Sequence, residues 1–428
     1  MKKILVLLIL FLNSNIHANE IFLYTSSALK NNPKFLAEIK NFNSIKQNKN
    51  ISKSEFLPSV TLSGTVNSTV SSNRTDKNGS NLADSNVDTE TKKIEIEQKI
   101  FQGFQSYNTY KKSELEIEMA SLELKKVRQN TILDAVKAYM DLSFKLKNKR
   151  FNLENNDLLE RQVESDSSRL QKGEITLTDL AQAESSLAKA KANLILAETE
   201  LQTARTNFEL IIGTRPPENI QEARIDLKTP SNLNEVLDRS MKNNPDLLIS
   251  SIDYEISKKN YKIELSRLSP SAKLNYSKSE SVDFSSTVDN TDQETVKATV
   301  TWPIIKGGKN YSSIKKSKLK KQKTELLFDD TKNKVKTNTT NLWSIYQSSK
   351  SILRSTKAQL KAAEIASEGI TLEYDSGDTR TTLDVIQSRS LLLEAKIANA
   401  KAERDLVISE LELLAQMGDL SIDSIKNS

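Results

Sequence analysis

Apolar residues recur every seven positions along the segment 178–212, which is the most regular pattern in the chain. One series is Leu180, Leu187, Leu194, Leu201 and Phe208, and the interleaved series is Ala183, Ala190, Ala197, Ala204 and Ile211. Such a repeat is typical of a helix packed in a coiled coil, and its alanine layers allow close helix approach. A second apolar series predicts a similar helix over 380–416.

Two segments, 57–101 and 271–303, instead alternate apolar and polar residues with a period of two. In the first, one parity holds Val60, Leu62, Val66 and Val70; in the second, one parity holds Val296, Ala298, Val300 and Trp302. This alternation predicts strands with one apolar and one polar face. A polar stretch interrupts each segment, so each is expected to form a pair of strands.

Two long stretches, 104–170 and 309–375, are each expected to be a single helix. The first contains no proline or glycine, and the second contains only Gly369. Glycine then marks a hairpin tip in each case, at Gly173 and at Gly377, before the heptad segments begin.

The same order of elements therefore occurs twice, in a first repeat, 19–230, and a second repeat, 231–417. Each repeat opens with a helical segment that contains Lys-Asn-Asn-Pro. An irregular linker, 213–230, ends the first repeat, and 418–428 is interpreted as a short polar tail. The chain is predicted to be mainly α with an internal duplication.

Four amphipathic strands are compatible with two architectures. They can pack as a small soluble sandwich, or they can face lipid on one side and a lumen on the other, as outer-membrane barrel strands do. The long helical segments between the pairs favour the barrel. Open sheet edges are not tolerated in hydrocarbon and the smallest such barrels have about eight strands, so further copies of the chain must complete it.

The N-terminus has the pattern of a secretory signal peptide. Lys2 and Lys3 precede an apolar run, and a possible cleavage site follows, so 1–18 is expected to be removed. The alternative is an N-terminal membrane anchor, for which the apolar run is short.

Composition limits the chemistry of the exported chain. The chain has no cysteine, and its single histidine, His17, lies in the predicted signal peptide. Thiol catalysis, disulfides and a zinc or triad enzyme are therefore not expected, nor is a metal or another cofactor. Loss of Lys2 and Lys3 lowers the formal charge from +6 to +4, which does not indicate a nucleic-acid partner.

The twofold order of helix, strand pair, long helix, glycine turn and heptad return resembles the TolC family of outer-membrane channel proteins. The most specific match is Tyr374-Asp375-Ser376-Gly377, followed by Thr379-Arg380-Thr381 and Leu383-Asp384-Val385. Gly173 and Thr178-Asp179 match the family's other hairpin. The resemblance covers essentially the whole exported chain.

This resemblance implies a homotrimer in the cell outer membrane that extends into the periplasm. Four strands per chain would make a twelve-stranded β-barrel, continued by a tunnel formed as an α-helical coiled-coil barrel. Such channels are passive exit ducts for drug efflux or type I protein secretion, embedded in outer-membrane lipid. They work with a periplasmic adaptor, or membrane fusion protein, and an inner-membrane ABC or RND transporter. The cargo is not implied.

The resemblance also implies a gate of polar links at the periplasmic tip. By position, Tyr374 is expected to donate a hydrogen bond to Asp179 of its own chain, and Arg380 is expected to reach Thr178 and Asp179 of a neighbour. A tyrosine hydroxyl and an arginine fork both suit a carboxylate acceptor, and the charged link is the stronger.

Asp384 matches an inward-facing acidic position, so three copies would form a carboxylate ring that favours cations. The family often has a second acidic residue one turn later, where this chain has Gln387. Cation selectivity is therefore expected to be weaker. The predicted docking tips for the adaptor are Gly173, Glu174, Gly377 and Asp378, whose acidic members predict a partner of complementary charge. Compared with the family pattern, this chain has one extra residue between Gly377 and Asp384.

A periplasmic coiled-coil adaptor or scaffold protein without a pore is the alternative function. That alternative does not require the amphipathic strand pairs. An enzyme is disfavoured, because the many carboxylates lie on solvated helices without a regular spacing.

Overall fold

The structure is a computed structural model, and it describes residues 20–218, 220, 227, 229–285, 288–376 and 380–426. The predicted signal peptide, 1–18, lies outside the described residues. So do part of the linker and the tip residues 377–379.

Helices make up most of the described chain, with a smaller set of strands between them. The helices are α1 (Glu20–Asn31), α2 (Pro33–Ser54), α3 (Gln105–Gln171), α4 (Leu177–Ile212), α5 (Leu233–Asn243), α6 (Pro245–Ser266), α7 (Lys309–Asp375), α8 (Thr382–Gln416) and α9 (Ile422–Lys426). The strands are β1 (Ser59–Ser71), β2 (Arg74–Thr75), β3 (Asn81–Leu82), β4 (Ser85–Gln102), β5 (Ser271–Ser285) and β6 (Val288–Thr301). The prediction of a mainly α chain with strands is thus confirmed.

The Lys-Asn-Asn-Pro motifs interrupt the helices at the residue before proline. Asn32 separates α1 from α2, and its side-chain oxygen accepts hydrogen bonds from the backbone nitrogens of Lys34 at 3.0 Å and Phe35 at 3.2 Å. Asn244 separates α5 from α6 in the same way. Proline disfavours helical geometry in the residue before it but suits the first position of a new helix, which explains both breaks.

No helix in the described part of the chain is apolar enough, over a sufficient length, to cross a membrane.

The four long strands form one antiparallel sheet in the order β1-β4-β5-β6. Its register places one apolar row across all four strands: Val60 opposite Ile96, Ile96 opposite Tyr276, and Tyr276 opposite Val296. The edge strands are β1 and β6. The polar stretch between β1 and β4 contains the short β2–β3 ribbon, in which Arg74 pairs with Leu82.

The chain divides into two compact units. One contains the described residues of Met1–Glu38, Lys125–Pro245 and Lys334–Ser428, and the other contains Ile39–Leu124 and Asp246–Asn333. The main apolar core lies in the first unit, where α1, α3, α4 and α8 contribute Ile21, Ile132, Val136, Leu142, Phe208, Ile212 and Leu411. The sheet belongs to the second unit.

The segment after α8 differs from the polar tail that the sequence predicts. Leu420 and Ile425 are buried in the core of the first unit, and the Gln129 side chain donates to the Leu420 carbonyl at 3.2 Å. Gly418 begins this segment with a φ of 75°, and a Cβ there would lie 2.2 Å from the Asn243 carbonyl oxygen. The tail is therefore part of the packed structure, because its few apolar residues are the ones that point inward.

Candidate functional site

The two hairpin tips begin their return helices with the same N-cap chemistry. Thr176 caps α4, and the Asp179 carboxylate accepts from the Thr176 backbone nitrogen at 3.0 Å and hydroxyl at 2.7 Å. Thr381 caps α8, and Asp384 accepts from the same two groups of Thr381, both at 2.9 Å. Both are capping boxes, which satisfy backbone donors that the helix itself leaves free.

These caps keep both carboxylates ionised. The pKa of Asp179 is lowered by the hydrogen bond from the Thr176 hydroxyl and then by the one from its backbone nitrogen. The pKa of Asp384 is lowered by the Thr381 backbone nitrogen, then by its hydroxyl, with a smaller contribution from the charge of Arg380. The two residues hold equivalent positions in α4 and α8.

Tyr374, near the end of α7, is the centre of a polar cluster. Its hydroxyl donates to Asp166 Oδ1 on α3 at 3.3 Å and lies 3.1 Å from the Thr382 hydroxyl. The Arg169 guanidinium donates to the same hydroxyl and lies 4.9 Å from the centre of the ring. One phenol group thus connects the last turns of α3 and α7 with the first turn of α8.

Asp166 is fully buried, although it carries a carboxylate. Oδ1 also accepts from the Gln162 side chain at 2.9 Å, whereas Oδ2 is buried without a hydrogen-bond partner among the described residues. Desolvation raises the pKa of Asp166, against the opposing effects of Gln162, Tyr374 and Arg169. Burial therefore favours the protonated carboxyl.

Arg389 on α8 lies at the edge of this cluster. Its guanidinium donates to Gln162 Oε1 at 3.4 Å, and desolvation lowers its pKa. The nearby charges of Asp375 and Asp166 act in the opposite direction.

Two further ion pairs occur at the tips. Arg380 Nε lies 2.6 Å from Glu373 Oε2, and Arg169 Nε lies 3.3 Å from Glu174 Oε2. Both are on the exposed side of the tip. Exposed pairs of this kind contribute about 0–1 kcal/mol each to stability, so they orient side chains more than they stabilise the tips.

The structure brings Tyr374 to a different carboxylate from the one that the sequence predicts. The acceptor is Asp166, because Asp179 is held by the Thr176 cap on the other side of the turn. Thr178 is exposed, as are Gly173 and Glu174. Gly377 and Asp378 lie outside the described residues. Links from Arg380 to a neighbouring chain involve a second copy and stay a prediction.

The residues predicted to line the pore lie on the first turns of α8. Asp384 is the third residue of the helix, and Gln387 follows one turn later with an exposed side chain. Gln387 also lines a groove of about 520 Å³ whose other walls include Asn152 on α3 and Ala190 on α4. The groove is partly open to solvent.

Asp166, Arg169 and Gln162 are absent from the sequence-based site, although the sequence carries a signal for Asp166 and Gln162. The buried positions of α3 that approach the tip are Asn152, Asn156, Leu159, Gln162 and Asp166. They recur every three or four residues, as a packed stripe does, and four of the five are polar. Polar residues at several buried positions of one helix indicate a side-chain network.

The helical hairpins, their capped tips and the amphipathic sheet define the class of TolC-like outer-membrane channels. Among solved structures, the chain is similar to the outer membrane protein VceC from Vibrio cholerae, with a TM-score of 0.79 and 17% identity over 93% of this chain and 96% of that one. It is also similar to the Campylobacter jejuni CmeC outer membrane channel, with a TM-score of 0.81 and 16% identity over 95% of this chain and 88% of that one.

The family model described as outer membrane efflux protein matches residues 24–214 and 236–419, and the chain belongs to this family. It is 28% identical to the outer membrane efflux protein BepC of Brucella suis, over 78% of this chain and 73% of BepC. It is 23% identical to the outer membrane protein TolC of Vibrio cholerae, over 96% of this chain and 93% of TolC.

The family membership confirms the predicted class of function. The protein is an outer-membrane exit duct that extends into the periplasm, and the family consists of channel proteins and not of enzymes. A pore-less periplasmic adaptor or scaffold, the alternative function, does not fit this family. TolC-family channels are trimeric and work with adaptors and inner-membrane transporters.

Proposed function

We propose that three copies of this chain form one passive duct for a tripartite efflux or type I secretion system. Each chain would contribute four strands to a twelve-stranded barrel in the outer membrane. The paired helices of the two repeats, 19–230 and 231–417, would continue the barrel as a coiled-coil tunnel across the periplasm.

The open four-stranded sheet carries this proposal. Its edge strands, β1 and β6, have no partner among the described strands on their outer sides. Apolar residues of these strands are also exposed: Val66 and Val300 each expose 73% of their surface. An exposed apolar face and two open edges are unfavourable in water, and in lipid the edges must be closed by another strand. Pairing β1 of one copy with β6 of the next closes both edges, and outer-membrane lipid then covers the apolar face.

Disulfide trapping tests this closure, because the chain has no cysteine of its own. A cysteine at Thr65 on β1 is combined with single cysteines at 292–298 on β6, and the oxidised protein is analysed without reductant. The proposal predicts crosslinked products up to a trimer for the β6 position that lies opposite Thr65, and weaker products for the positions two residues to either side of it. Products that stop at a dimer, or no product at any position, would contradict it.

We infer that the polar cluster at the tip holds the duct shut. Tyr374 ties α7 to α3 within one chain through Asp166 and Arg169, and Arg380 is expected to reach Thr178 and Asp179 of a neighbouring chain. Opening would require these links to break. The extent of opening is measurable as single-channel conductance in planar bilayers, where Arg380→Ser combined with Tyr374→Phe should raise the conductance above that of the parent protein.

Three Asp384 carboxylates would form the cation-selective ring at the entrance. The capping box supports this role, because it fixes the side chain at the helix N-terminus and keeps it ionised. The exposed Gln387, one turn further, adds no charge.

The adaptor is expected to dock at the two tips, Gly173 with Glu174 and Gly377 with Asp378, and an inner-membrane ABC or RND transporter would complete the system. Photocrosslinkers placed at Glu174 test this, with Glu198 on the body of α4 as a control position. Crosslinks to an adaptor from Glu174 but not from Glu198 would support tip docking, and the reverse pattern would contradict it.

A further inference from the structure

The first turns of α7 carry an unusual concentration of positive charge. Eight lysines and no acidic residue occur within 306–324. They are Lys306, Lys309, Lys315, Lys316, Lys318, Lys320, Lys321 and Lys323. Lys315, Lys316, Lys320 and Lys323 recur at helical spacing on one exposed face of α7, which is named the lysine face below.

The lysine face differs from the corresponding part of α3, which also follows a strand pair. There Lys111 pairs with Glu114 at 2.9 Å and Lys112 pairs with Glu116 at 3.2 Å. Lys49 on α2 adds a second pair to Glu114 at 3.0 Å. In the described chain, by contrast, none of the four lysines of the lysine face is part of an ion pair.

This arrangement is unfavourable for the isolated helix. Lys309, in the first turn, opposes the macrodipole, and lysines four residues apart, such as Lys316 and Lys320, repel each other. A local cost of this kind is typical of a functional surface, where an external partner offsets it. The charge of the face requires that partner to be anionic.

Exposed apolar residues next to the lysine face indicate what kind of anion this is. Trp302, Ile304 and Ile305 follow the last strand and are exposed by 65%, 80% and 88%, and Tyr311 is exposed by 71%. Leu319 lies within the lysine face itself and is also exposed. Tryptophan and tyrosine followed by lysines are typical of the membrane–water interface, where aromatic rings enter the headgroup layer and lysines extend to the surface.

The position of the lysines fits that interface. Lys306 lies between β6 and α7, and Lys315 and Lys316 lie about 10 Å along the helix from its start, at 1.5 Å per residue. That distance is comparable with the Debye length of roughly 8 Å at physiological salt, so Lys315 and Lys316 remain within reach of surface charge. Lys320 and Lys323 lie about 17 and 21 Å along the helix and contribute less.

We propose that the lysine face binds anionic phospholipid headgroups in the periplasmic leaflet of the outer membrane. The ligand chemistry is a lipid headgroup with a phosphodiester and a net negative charge, which the ammonium groups contact while Trp302 and Tyr311 lie in the headgroup layer. The inference rests on the proposed function, because it requires the adjoining strands to be in the membrane. It adds a lipid-specific anchor that fixes the depth of the duct.

Tryptophan quenching tests the proposal on the full-length protein. The chain has two tryptophans, Trp302 and Trp343, so Trp343→Phe leaves Trp302, directly after the last strand, as the reporter of the lipid at that level. The protein is reconstituted in brominated phosphatidylcholine or in brominated phosphatidylglycerol mixed with its unbrominated counterpart. The expected result is a preference for phosphatidylglycerol of about fivefold or more at low salt, the factor that one surface lysine supplies, and a smaller preference at high salt.

A fourfold variant, Lys315→Gln, Lys316→Gln, Lys320→Gln and Lys323→Gln, should lower the preference by about fivefold or more, while Lys306 and Lys309 keep a remainder. The control carries the same number of lysine-to-glutamine changes further along α7, at Lys336, Lys350, Lys357 and Lys361, and should keep it. Equal quenching by both lipids in the parent protein would overturn the inference while leaving the barrel intact. No quenching by either lipid would overturn the membrane placement of the sheet itself.

Two other results would also overturn the inference. If the variant changes the ratio of anion to cation permeability but keeps the lipid preference, the lysine face lines the duct. If it lowers trimer stability but keeps the preference, the face contacts a second copy of the chain.

Discussion

Replacing Tyr374 with phenylalanine tests the tip cluster most sharply. The substitution keeps the ring, and with it the packing beside Arg169, but removes the hydroxyl that contacts Asp166, Thr382 and Arg169. The Arg169 guanidinium donates to this hydroxyl, and hydrogen bonds that involve a charged group contribute about 1.5–3 kcal/mol. The buried Asp166 would also lose one of its two donors. A loss of about 2 kcal/mol per chain shifts the equilibrium between the closed and the open tip about 30-fold toward the open tip.

The assay is single-channel conductance in planar bilayers, with the thermal stability of the assembly as a folding control. Tyr374→Phe should raise the conductance or the fraction of time spent open. Asp166→Leu should have a similar effect, and the double variant should show less than the sum, because both changes break the same link. Asp179→Asn with Tyr374→Phe should be additive, since Asp179 caps α4 and does not contact Tyr374.

Two results would refute this reasoning. One is a conductance for Tyr374→Phe that equals that of the parent protein. The other is additive effects of Tyr374→Phe and Asp166→Leu together with non-additive effects of Tyr374→Phe and Asp179→Asn. That result would favour the Tyr374–Asp179 link that the family motif implies.

Three further predictions concern pH, selectivity and stability. Burial raises the pKa of Asp166 above its ordinary value of 3.8, so the closed tip binds a proton more tightly than the open tip. The closed tip should therefore lose stability as the pH rises from that ordinary value through the raised pKa. Asp166→Asn should remove this part of the pH dependence of the open fraction, whereas an unchanged dependence would exclude Asp166 as its source. Asp384→Asn should lower the ratio of cation to anion permeability, and Gln387→Asp should raise it. Asp179→Asn, which loses an equivalent capping box, should leave the ratio unchanged. If both asparagine variants lower the ratio equally, loss of the helix cap and not of a pore charge is the cause. Gly418→Ala should lower the melting temperature, because the new Cβ clashes with the Asn243 carbonyl and a φ of 75° costs an alanine at least about 1 kcal/mol. Gly369→Ala, in an open helical position, should raise stability by about 0.5–1 kcal/mol. If Gly418→Ala melts at the same temperature as the parent protein, the turn at Gly418 rearranges without cost.

The helices and strands follow closely from local sequence patterns. The heptad segment predicted at 178–212 is the helix Leu177–Ile212, and the one predicted at 380–416 is Thr382–Gln416. Periodicity succeeds here because long elements repeat the same signal many times. The end of the chain, where Leu420 and Ile425 pack into the core, has too few residues to show any period.

The candidate site was harder to predict because it depends on how helices pack. The motif around Tyr374 shows that a hydroxyl is available, but which carboxylate it meets depends on the rotation of α3 against α7. Asp179 stands in the family motif, whereas Asp166 occupies a buried position on the facing helix. Its polar neighbours along α3 are visible in the sequence, but their partners become clear only with the packed hairpins.

The central claim is that three chains build one duct, and the mass of the purified assembly tests it directly. Native mass spectrometry of the protein extracted from outer membranes in detergent should give three times the mass of the mature chain, without other oligomers. A monomer that remains stable after extraction, or an assembly with a number of chains other than three, would contradict the account.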